Sequence, residues 1–230
     1  MRQGLLPAPD AAQVWLDFDG TISRRDVLDE LIATYAVRES WKLVEERWQA
    51  GLIGSRECLR QEFATVRIAP AELAKFLASC DVDPAAGELL ELLAEHRIPT
   101  TILSDGMESF IRIILTQHGL EIPAIRANRV VHRGDRLRLV CPYRRRQCDS
   151  SAAHCKCFSM AQLRDPSRQS IYIGDGRSDL CPARKADHVF AKGALARALS
   201  AEHLACIPFV SLADVVTVLL RAWSSAAAAI

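Results

Sequence analysis

The sequence QVWLDFDGT at residues 13–21 decides the fold of this chain, because an apolar run ends there in an acidic turn that contains a glycine. The apolar half predicts a buried strand, and the turn predicts a loop at the strand's carboxyl end. Further strands are predicted at 98–106 (IPTTILSDG), 170–176 (SIYIGDG), 187–191 and 206–210. Helical patterns at 84–96 and 107–119 alternate with them. This alternation predicts an α/β fold, a Rossmann-like parallel sheet with helices on both faces.

A helical insert is predicted between the first two strands. Asp19 and Ile98 are 79 residues apart (98 minus 19), whereas a strand-helix-strand unit needs only about 30 residues. Amphipathic helices are predicted in this interval at 27–37, 39–50, 55–65 and 70–79. The sequence therefore predicts a core of residues 1–22 and 82–230, and a small all-helical cap of residues 23–81 lying over the strand ends. The tail at 224–230 is predicted to be frayed or helical.

Composition restricts the classes of function. The chain has 230 residues, of which 50% are hydrophobic and 25% are charged, and this excludes a disordered protein. A net charge of +1 gives no overall field that would attract nucleic acid or an anionic membrane. No apolar run approaches the roughly 20 residues that cross a bilayer, and the first residues lack the apolar run of a signal peptide. We expect a cytoplasmic protein with no nucleic-acid or membrane partner, in an oligomeric state that the sequence does not reveal.

The chain has eight cysteines, which we expect to be reduced thiols because nothing indicates a small secreted domain. Five soft ligands follow a β-hairpin predicted at 126–140: Cys141, Cys148, His154, Cys155 and Cys157. They could hold a structural Zn²⁺, although their spacing is not that of paired zinc knuckles. Buried thiols, or an oxidisable pair beside Lys156, are the alternatives. The basic run at 144–146 is interpreted as a solvated surface loop.

Carboxylates follow two of the predicted strands. Asp17 and Asp19 lie two residues apart at a strand end, so both side chains can face one site, where one attacks and the other moves a proton. Asp175 and Asp179 lie in the sequence GDGRSD. Oxygen ligands around such a turn suit a hard cation, and Mg²⁺ is the cofactor that we expect.

Hydroxyl and ammonium groups at the same edge suit a phosphate. Thr21 and Ser104 are hydroxyl donors at two strand ends, and Lys156 adds a positive charge. Each motif by itself is more often a helix cap or a solvated surface group. Their occurrence together and in order, with the acidic and serine motifs each following an apolar strand, favours a site that handles phosphate.

In this order the motifs DFDGT, SDG, Lys156 and GDGRSD resemble those of the haloacid dehalogenase superfamily of phosphatases, over nearly the whole chain. The resemblance implies that Asp17 is the nucleophile that forms an aspartyl-phosphate, and that Asp19 is the general acid that later activates water. It implies a phosphate-binding set of Thr21, Ser104, Asp105, Gly106 and Lys156. It implies a Mg²⁺ site formed by Asp17, the backbone carbonyl of Asp19, Asp175 and, in support, Asp179.

The predicted cap resembles that of the phosphoserine phosphatase-like branch, in which a glutamate usually reads the substrate amine. Asp26 stands at the matching position, and its shorter carboxylate disfavours phosphoserine. Asp26 and the cysteine-rich loop are more similar to the methionine-salvage phosphatases that act on 2-hydroxy-3-keto-5-methylthiopentenyl-1-phosphate. They are also similar to the phosphoethanolamine/phosphocholine phosphatases. Asp105 stands where the salvage enzymes commonly have glycine. We therefore expect a small-molecule phosphomonoester as the substrate, with the salvage ester as the first candidate.

Residues near the predicted cleft are candidates for substrate specificity. Arg24, Arg25 and Asp26 follow the acidic turn and either face the cleft or form a solvated hinge. Trp41 and Trp48 lie seven residues apart on one predicted cap helix, so they share a face, which we interpret as internal packing of the cap.

Two other functions use the same fold. One is a non-catalytic zinc- or RNA-binding protein, and the complete set of Asp17, Asp19 and Asp175 favours an enzyme over it. The other is phosphotransfer to a second substrate, which would use the same residues as hydrolysis and differs from it only in the product.

Overall fold

The computed structural model describes residues 5–227, in which one sheet lies between two layers of helices. Seven strands form this sheet within the described residues: β1 Ala12–Leu16, β2 Thr100–Met107, β3 Ala124–Arg133, β4 Arg136–Val140, β5 Gln169–Gly174, β6 His188–Ala191 and β7 Ile207–Pro208. Their order is β4-β3-β2-β1-β5-β6-β7, and every neighbouring pair except β3 and β4 is parallel. The predicted Rossmann-like sheet is confirmed.

The helices cover the sheet on both faces and form the insert. In chain order they are α1 Val27–Tyr35, α2 Ser40–Gln49, α3 Ser55–Thr65, α4 Pro70–Ala78, α5 Ala86–Glu95, α6 Glu108–Gln117, α7 Lys156–Leu163, α8 Leu180–Ala183, α9 Gly193–Ala201 and α10 Leu212–Ala227. Side chains alternate along a strand, so Val14 and Leu16 pack with α5, α6 and α10, whereas Trp15 packs with α7, α8 and α9. Both apolar layers are buried, which fixes the strand register.

The order in which the chain visits the strands indicates where a ligand would bind. It runs from β1 outward to β2 and β3, then returns to β5 on the other side of β1. The strand order therefore reverses between β1 and β5, which pair in parallel from Ala12 with Gln169 to Leu16 with Ile173. In open parallel sheets the crevice for ligands lies beyond the carboxyl ends of the strands at such a reversal.

Helices α1 to α4 form the predicted insert, and each lies within two residues of its predicted bounds. The two connections to the core run side by side, since Ser23 and Val82 form an antiparallel bridge. The cap also contacts the hairpin, because the Ile68 N–H donates to the Asp135 carbonyl at 2.8 Å. The division into a cap of 23–81 and a core of 1–22 and 82–230 stays a prediction that this geometry suits.

The hairpin predicted at 126–140 is present, but its first strand begins at Ala124 and also pairs with the main sheet. The first half of β3 pairs in parallel with β2, from Thr101 with Ala124 to Met107 with Asn128. Its second half pairs with β4 in antiparallel fashion. One strand therefore belongs both to the main sheet and to the hairpin. Sequence alternation alone did not indicate the parallel half, because its partner strand is remote in the chain.

The expectation of reduced thiols is wrong for Cys157 and Cys181, which form a disulfide. Helices α7 and α8 bring the two Cα atoms to 6.3 Å from each other, within the range that a disulfide spans. The predicted alternative of an oxidisable pair concerned the cysteine-rich loop, and only Cys157 of this pair belongs to that loop.

Two features concern the ends and the exterior. Helix α10 confirms a helical tail as far as Ala227, and residues 228–230 of that prediction lie outside the described residues. No helix within residues 5–227 is long and apolar enough to cross a membrane.

Candidate active site

The predicted polar groups meet at the carboxyl edge of the sheet. Asp17 follows β1, Ser104 lies near the end of β2, and Asp175 follows β5. The Asp17 N–H donates to the carbonyl of Ile173 at 2.9 Å, so the ladder between β1 and β5 continues to the nucleophile candidate itself. The backbone of two neighbouring strands therefore fixes where the Asp17 side chain begins.

Lys156 joins two carboxylates at the centre of the site. Its Nζ lies 2.6 Å from Asp17 Oδ1 and 2.6 Å from Asp179 Oδ1, and all three residues are buried. Burial by itself would lower the pKa of the ammonium, but the two carboxylates raise it above its ordinary value. Lys156 therefore stays charged and compensates both carboxylates.

Each carboxylate oxygen of Asp179 accepts two hydrogen bonds. Its Oδ1 accepts from Lys156 and from the Tyr172 hydroxyl at 2.6 Å, and its Oδ2 accepts from the N–H groups of Asp175 and Gly176 at 3.1 and 3.0 Å. Such a carboxylate holds the loop after β5 in place. Its supporting role toward a metal stays a prediction, and these hydrogen bonds suit it.

The Asp19 carboxylate accepts hydrogen bonds from β2 and from the start of α1. Its Oδ2 accepts from the Ser104 hydroxyl at 3.0 Å, and its Oδ1 accepts from the Val27 N–H at 3.2 Å. Burial, and then the nearby Asp26, raise the pKa of Asp19 to about 7. A protonated Asp19 is therefore accessible near neutral pH.

Two glycines let the acidic loops approach each other. Gly20 has φ of +72°, and a Cβ there would lie 2.6 Å from Asp175 Oδ2. A Cβ at Gly106 would lie 2.7 Å from Asp19 Oδ2 and 2.8 Å from Ser104 Oγ. Glycine is therefore required at both positions by the carboxylates that they approach.

Three of the predicted phosphate-binding residues donate hydrogen bonds to aspartate side chains in this structure. The Thr21 hydroxyl donates to Asp175 Oδ1 at 3.3 Å, while Ser104 donates to Asp19 and Lys156 donates to Asp17. The Ser104 Oγ also accepts from the Gly106 N–H at 2.7 Å. Their phosphate-binding roles stay predictions, and the geometry places each beside the carboxylate with which it would act.

A divalent cation fits one group of carboxylates. Oxygens of Asp17, Asp175 and Asp179 all lie within 4.8 Å of one another. Burial, followed by repulsion from Asp179, raises the pKa values of both Asp17 and Asp175. A hard cation between these oxygens would remove that repulsion, so the donor set suits Mg²⁺. The Asp19 side chain lies outside this group, and a contribution from its backbone carbonyl stays a prediction.

Asp105 binds the cap to the core. Its Oδ2 accepts from the Ser55 hydroxyl at 2.6 Å and its Oδ1 accepts from the His154 N–H at 2.6 Å. Ser55 begins α3, and its Oγ also accepts from the Ala153 N–H at 3.0 Å. Since the Asp105 carboxylate would repel phosphate, any contribution to phosphate binding would come from its backbone. The carboxylate instead fixes the position of α3 above the strand ends.

The predicted zinc ligands do not assemble. Within residues 5–227 they do not form a cluster of metal-binding size. His154 Nδ1 donates to the Ser104 carbonyl at 2.9 Å, and its Nε2 accepts from Ser159 at 2.7 Å. Burial lowers the pKa of His154 to about 3, so the ring is neutral and both nitrogens are engaged. Cys157 is bonded to Cys181. The loop therefore supports Lys156 and α7 by packing.

A cavity of about 530 Å³ extends from the aspartates to the cap. Asp17, Asp19, Asp105 and Gly106 line its floor, and α1, α2 and α3 line its roof. Trp48 lines this cavity, whereas Trp41 packs against the main apolar core and lines a smaller neighbouring cavity of about 310 Å³. The predicted packing role therefore describes only part of what the two rings do.

The predicted specificity residues at the rim have other partners. Arg25 lines the cavity but pairs with Glu30 at 2.9 Å, and its side chain is mostly exposed. Asp26 Oδ1 caps α1, accepting from the N–H groups of Leu28 and Asp29 at 2.9 and 3.0 Å. Both residues line the cavity and also fix local structure, so the two alternatives for them overlap, and their roles in specificity stay predictions.

Sequence reasoning missed the acidic lining of the roof, which we call the acidic chamber. Its members are Asp29, Glu45, Trp48, Cys58 and Glu62. Glu62 is only 3% exposed, and burial, followed by repulsion from Glu45, raises its pKa to about 7. The signal that could have found the chamber is the occurrence of acidic residues on three successive cap helices, α1, α2 and α3.

Glu62→Gln is expected to stabilise the protein at high pH. The pKa of this carboxyl group is higher in the folded chain than in the unfolded chain. Its contribution to the free energy of unfolding is therefore fully present below the unfolded pKa, and it is lost as the pH rises through the folded pKa. For Glu62 that window runs from the ordinary 4.5 to about 7. Urea unfolding should show a gain of about 1–3 kcal/mol for the variant at about pH 8, and little change at about pH 5.

Glu46→Gln on the exposed side of α2 is the matched control for that measurement, since it removes the same charge from a solvated position. It should leave the free energy of unfolding unchanged at both pH values. Equal effects of the two substitutions would show that Glu62 carries no burial cost.

Sequence comparison places the chain in a known family. A family model described as haloacid dehalogenase-like hydrolase matches residues 14–184. A 2-hydroxy-3-keto-5-methylthiopentenyl-1-phosphate phosphatase of an Exiguobacterium species is 28% identical over 211 residues, covering 89% of this chain and 95% of that protein. The phosphatase of the same name from Bacillus thuringiensis subsp. konkukian is 27% identical over 208 residues, covering 89% and 94%.

Solved structures share the fold. A substrate-bound phosphoserine phosphatase complex has a TM-score of 0.68 at 16% identity, covering 89% of this chain and 96% of that one. A phospho-aspartyl intermediate analogue of phosphoserine phosphatase has a TM-score of 0.67 at 19% identity, covering 89% and 97%. The family match spans well over half of the sequence, from β1 to the end of α8. This chain therefore belongs to the haloacid dehalogenase-like hydrolase family.

Proposed function

We propose that this phosphatase is Mg²⁺-dependent and hydrolyses a small-molecule phosphomonoester through a phosphorylated Asp17. One observation carries the proposal: the Asp17 carboxylate lies on the cavity floor, with one oxygen held by Lys156 and with Asp19 and Asp175 beside it. A carboxylate attacks a phosphate only if the charge between them is neutralised, and this site concentrates the groups that can do so.

The residues divide the reaction into two displacements. In the first, an Asp17 oxygen bonds to phosphorus while the bond from phosphorus to the leaving oxygen breaks, and Asp19 gives that oxygen its proton. In the second, the Asp19 carboxylate takes a proton from water, and the water oxygen displaces the Asp17 carboxylate. The products are an alcohol and inorganic phosphate. Ser104, which donates to Asp19, holds the acid in position in both steps.

Asp17 and Asp175 would hold the Mg²⁺, with Asp179 fixing the loop that carries Asp175. The ion supplies neutralisation of charge between the Asp17 carboxylate and the phosphoryl oxygens. Thr21 keeps an oxygen of Asp175 oriented by its hydrogen bond.

Removal of divalent cations is expected to abolish turnover reversibly. Protein treated with EDTA and then desalted should lose activity toward p-nitrophenyl phosphate, because the carboxylate repulsion then opposes the approach of phosphate. Added Mg²⁺ should restore the activity, and added Na⁺ at equal ionic strength should not. Undiminished turnover in the chelated protein would overturn the metal dependence.

Four phosphate esters are candidates for the physiological substrate. The name of the curated relatives makes 2-hydroxy-3-keto-5-methylthiopentenyl-1-phosphate a candidate substrate. Phosphoserine, phosphoethanolamine and phosphocholine are the others, in line with the small helical cap. Assay of purified protein against these esters, with phosphate release as the readout, tests the proposal. The complete set of aspartates favours this activity over a non-catalytic zinc- or RNA-binding role.

A further inference from the structure

The acidic chamber lies on the leaving-group side of the cavity. The reacting carboxylates Asp17 and Asp19 line the floor, and the chamber residues on α1, α2 and α3 line the roof of the same space. A phosphomonoester bound at Asp17 would therefore direct its alcohol portion toward Asp29, Glu45 and Glu62. The charge of this chamber bears on which alcohol it accepts.

Among the described residues, the chamber carboxylates lack a cation of their own. Within residues 5–227, no lysine, arginine or histidine forms an ion pair with Asp29, Glu45 or Glu62. Three of the cations that line the cavity have other partners, since Arg25 pairs with Glu30, Arg177 donates to the Gln49 carbonyl and Lys192 lies over the Phe209 ring. The fourth, Arg24, is exposed, and within residues 5–227 it forms no ion pair with a chamber carboxylate.

Glu62 is the strongest single observation. Its side chain is 97% buried (3% exposed) and lines the cavity. The donor beside its carboxylate is the Cys58 thiol, which is a weak one. A buried carboxylate without a cation is costly to the fold, and it persists where a ligand supplies the missing charge.

An aromatic ring completes the environment. Trp48 lines the cavity together with Glu45 and Glu62. Indole faces attract ammonium groups, and carboxylates add direct charge attraction. A chamber built from both is suited to an organic cation, either a primary or a quaternary ammonium group.

We propose that the leaving alcohol of the substrate carries an ammonium group, which the acidic chamber binds through Glu62, Glu45, Asp29 and Trp48. The inference rests on the proposed phosphatase function and names the substrate class of that same cavity. It favours amino-alcohol phosphates over the ester in the name of the curated relatives, whose keto and methylthio groups carry no positive charge.

A second metal ion is the competing occupant. Glu45, Cys58 and Glu62 offer ligand atoms within 4.8 Å of one another. However, one thiol and two carboxylates fall short of the four Cys- and His-rich ligands of a structural zinc site. Hard cations such as Mg²⁺ also prefer a shell of oxygens. The chamber therefore suits an ammonium ion better than a metal ion.

The test compares esters that differ in charge but not in shape. Phosphocholine is paired with 3,3-dimethylbutyl phosphate, in which carbon replaces the nitrogen, and phosphoethanolamine is paired with propyl phosphate. With Mg²⁺ present, kcat/KM should be about tenfold or more higher for the cationic member of at least one pair. Equal values within both pairs, or a preference for the neutral members, would overturn the inference.

Substitutions in the acidic chamber test whether its carboxylates cause the preference for cationic esters. Glu62→Gln and Glu45→Gln should each bring the ratio of cationic to neutral kcat/KM close to one, whereas Glu46→Gln on the exposed side of α2 should keep the wild-type ratio. Using two chamber variants guards against one that fails to fold. A wild-type ratio retained in both folded variants would overturn the role of the chamber.

The outcomes separate this inference from the proposed function. Hydrolysis of neutral and cationic esters at equal rates would leave the phosphatase standing and remove the ammonium site. Failure to hydrolyse any ester, including p-nitrophenyl phosphate with Mg²⁺, would remove the proposed function. Finally, the metal content of the wild type and of Glu62→Gln is measured after equilibration with Mg²⁺ or Zn²⁺. A second ion per chain that is bound by the wild type and not by Glu62→Gln would show that the chamber binds a metal ion, and it would overturn the ammonium assignment.

Discussion

Replacing Asp17 with asparagine is expected to lower kcat for p-nitrophenyl phosphate by about 10⁴-fold or more, because an amide does not form an acyl phosphate. The fold should persist. Lys156 keeps its second partner Asp179, and the loss of one carboxylate relieves repulsion with Asp175 and Asp179. Steady-state kinetics with Mg²⁺ measure the loss, and circular dichroism with thermal unfolding measures the fold.

Asp149→Asn is the matched control for that variant, since Asp149 is an exposed aspartate of the loop before α7. It should keep wild-type turnover. Retention of most activity by Asp17→Asn, with the control unchanged, would remove the nucleophile assignment and with it the two-step mechanism.

Replacing Lys156 with methionine is expected to cost both stability and activity. The substitution leaves Asp17 and Asp179 buried without their shared cation, and removal of one partner from a buried pair typically costs about 3–5 kcal/mol. Urea unfolding at neutral pH measures this loss. Turnover should fall as well, because Lys156 holds the attacking carboxylate in place.

Lys185→Met supplies the control, because Lys185 is exposed. The double variant Lys156→Met with Asp17→Asn should recover part of the stability, since only Asp179 then remains charged, and its other donors stay in place. It should recover no activity. A free energy of unfolding for Lys156→Met within about 1 kcal/mol of wild type would contradict the central role of the ion pairs.

The floor of the site could be predicted from the sequence because strand ends are local features. An apolar run followed by an acidic turn places Asp17 at a carboxyl end, and the same pattern places Ser104 and Asp175. Parallel pairing then brings these ends together whatever the details of the helices. The fold class and the helical insert followed from the same periodicity.

The roof of the site could not be predicted in this way. Glu45 and Glu62 lie on different helices, and their meeting depends on how α2 packs on α3. Helical spacing put Trp41 and Trp48 on one face but did not show that the cavity reaches Trp48. Contacts between remote loops were equally hidden, as with Asp105 and Ser55.

Residues with two roles were also beyond sequence reasoning. Asp26 was a specificity candidate and proves to cap α1 as well. His154 was a zinc candidate, but its ring bonds to Ser104 and Ser159. In both cases the residue type was informative, and its hydrogen-bond partners decided what it does.

Chemical trapping of the intermediate tests the central claim most directly. An Asp19→Ala variant, which lacks the base for the second displacement, is mixed with p-nitrophenyl phosphate and Mg²⁺ and then reduced with borohydride, which converts an acyl phosphate to an alcohol. Peptide mass spectrometry should find homoserine at position 17, and only when both ester and metal are present. An unchanged aspartate there while p-nitrophenol is released, or a phosphoryl group on another side chain such as Ser104, would contradict the account.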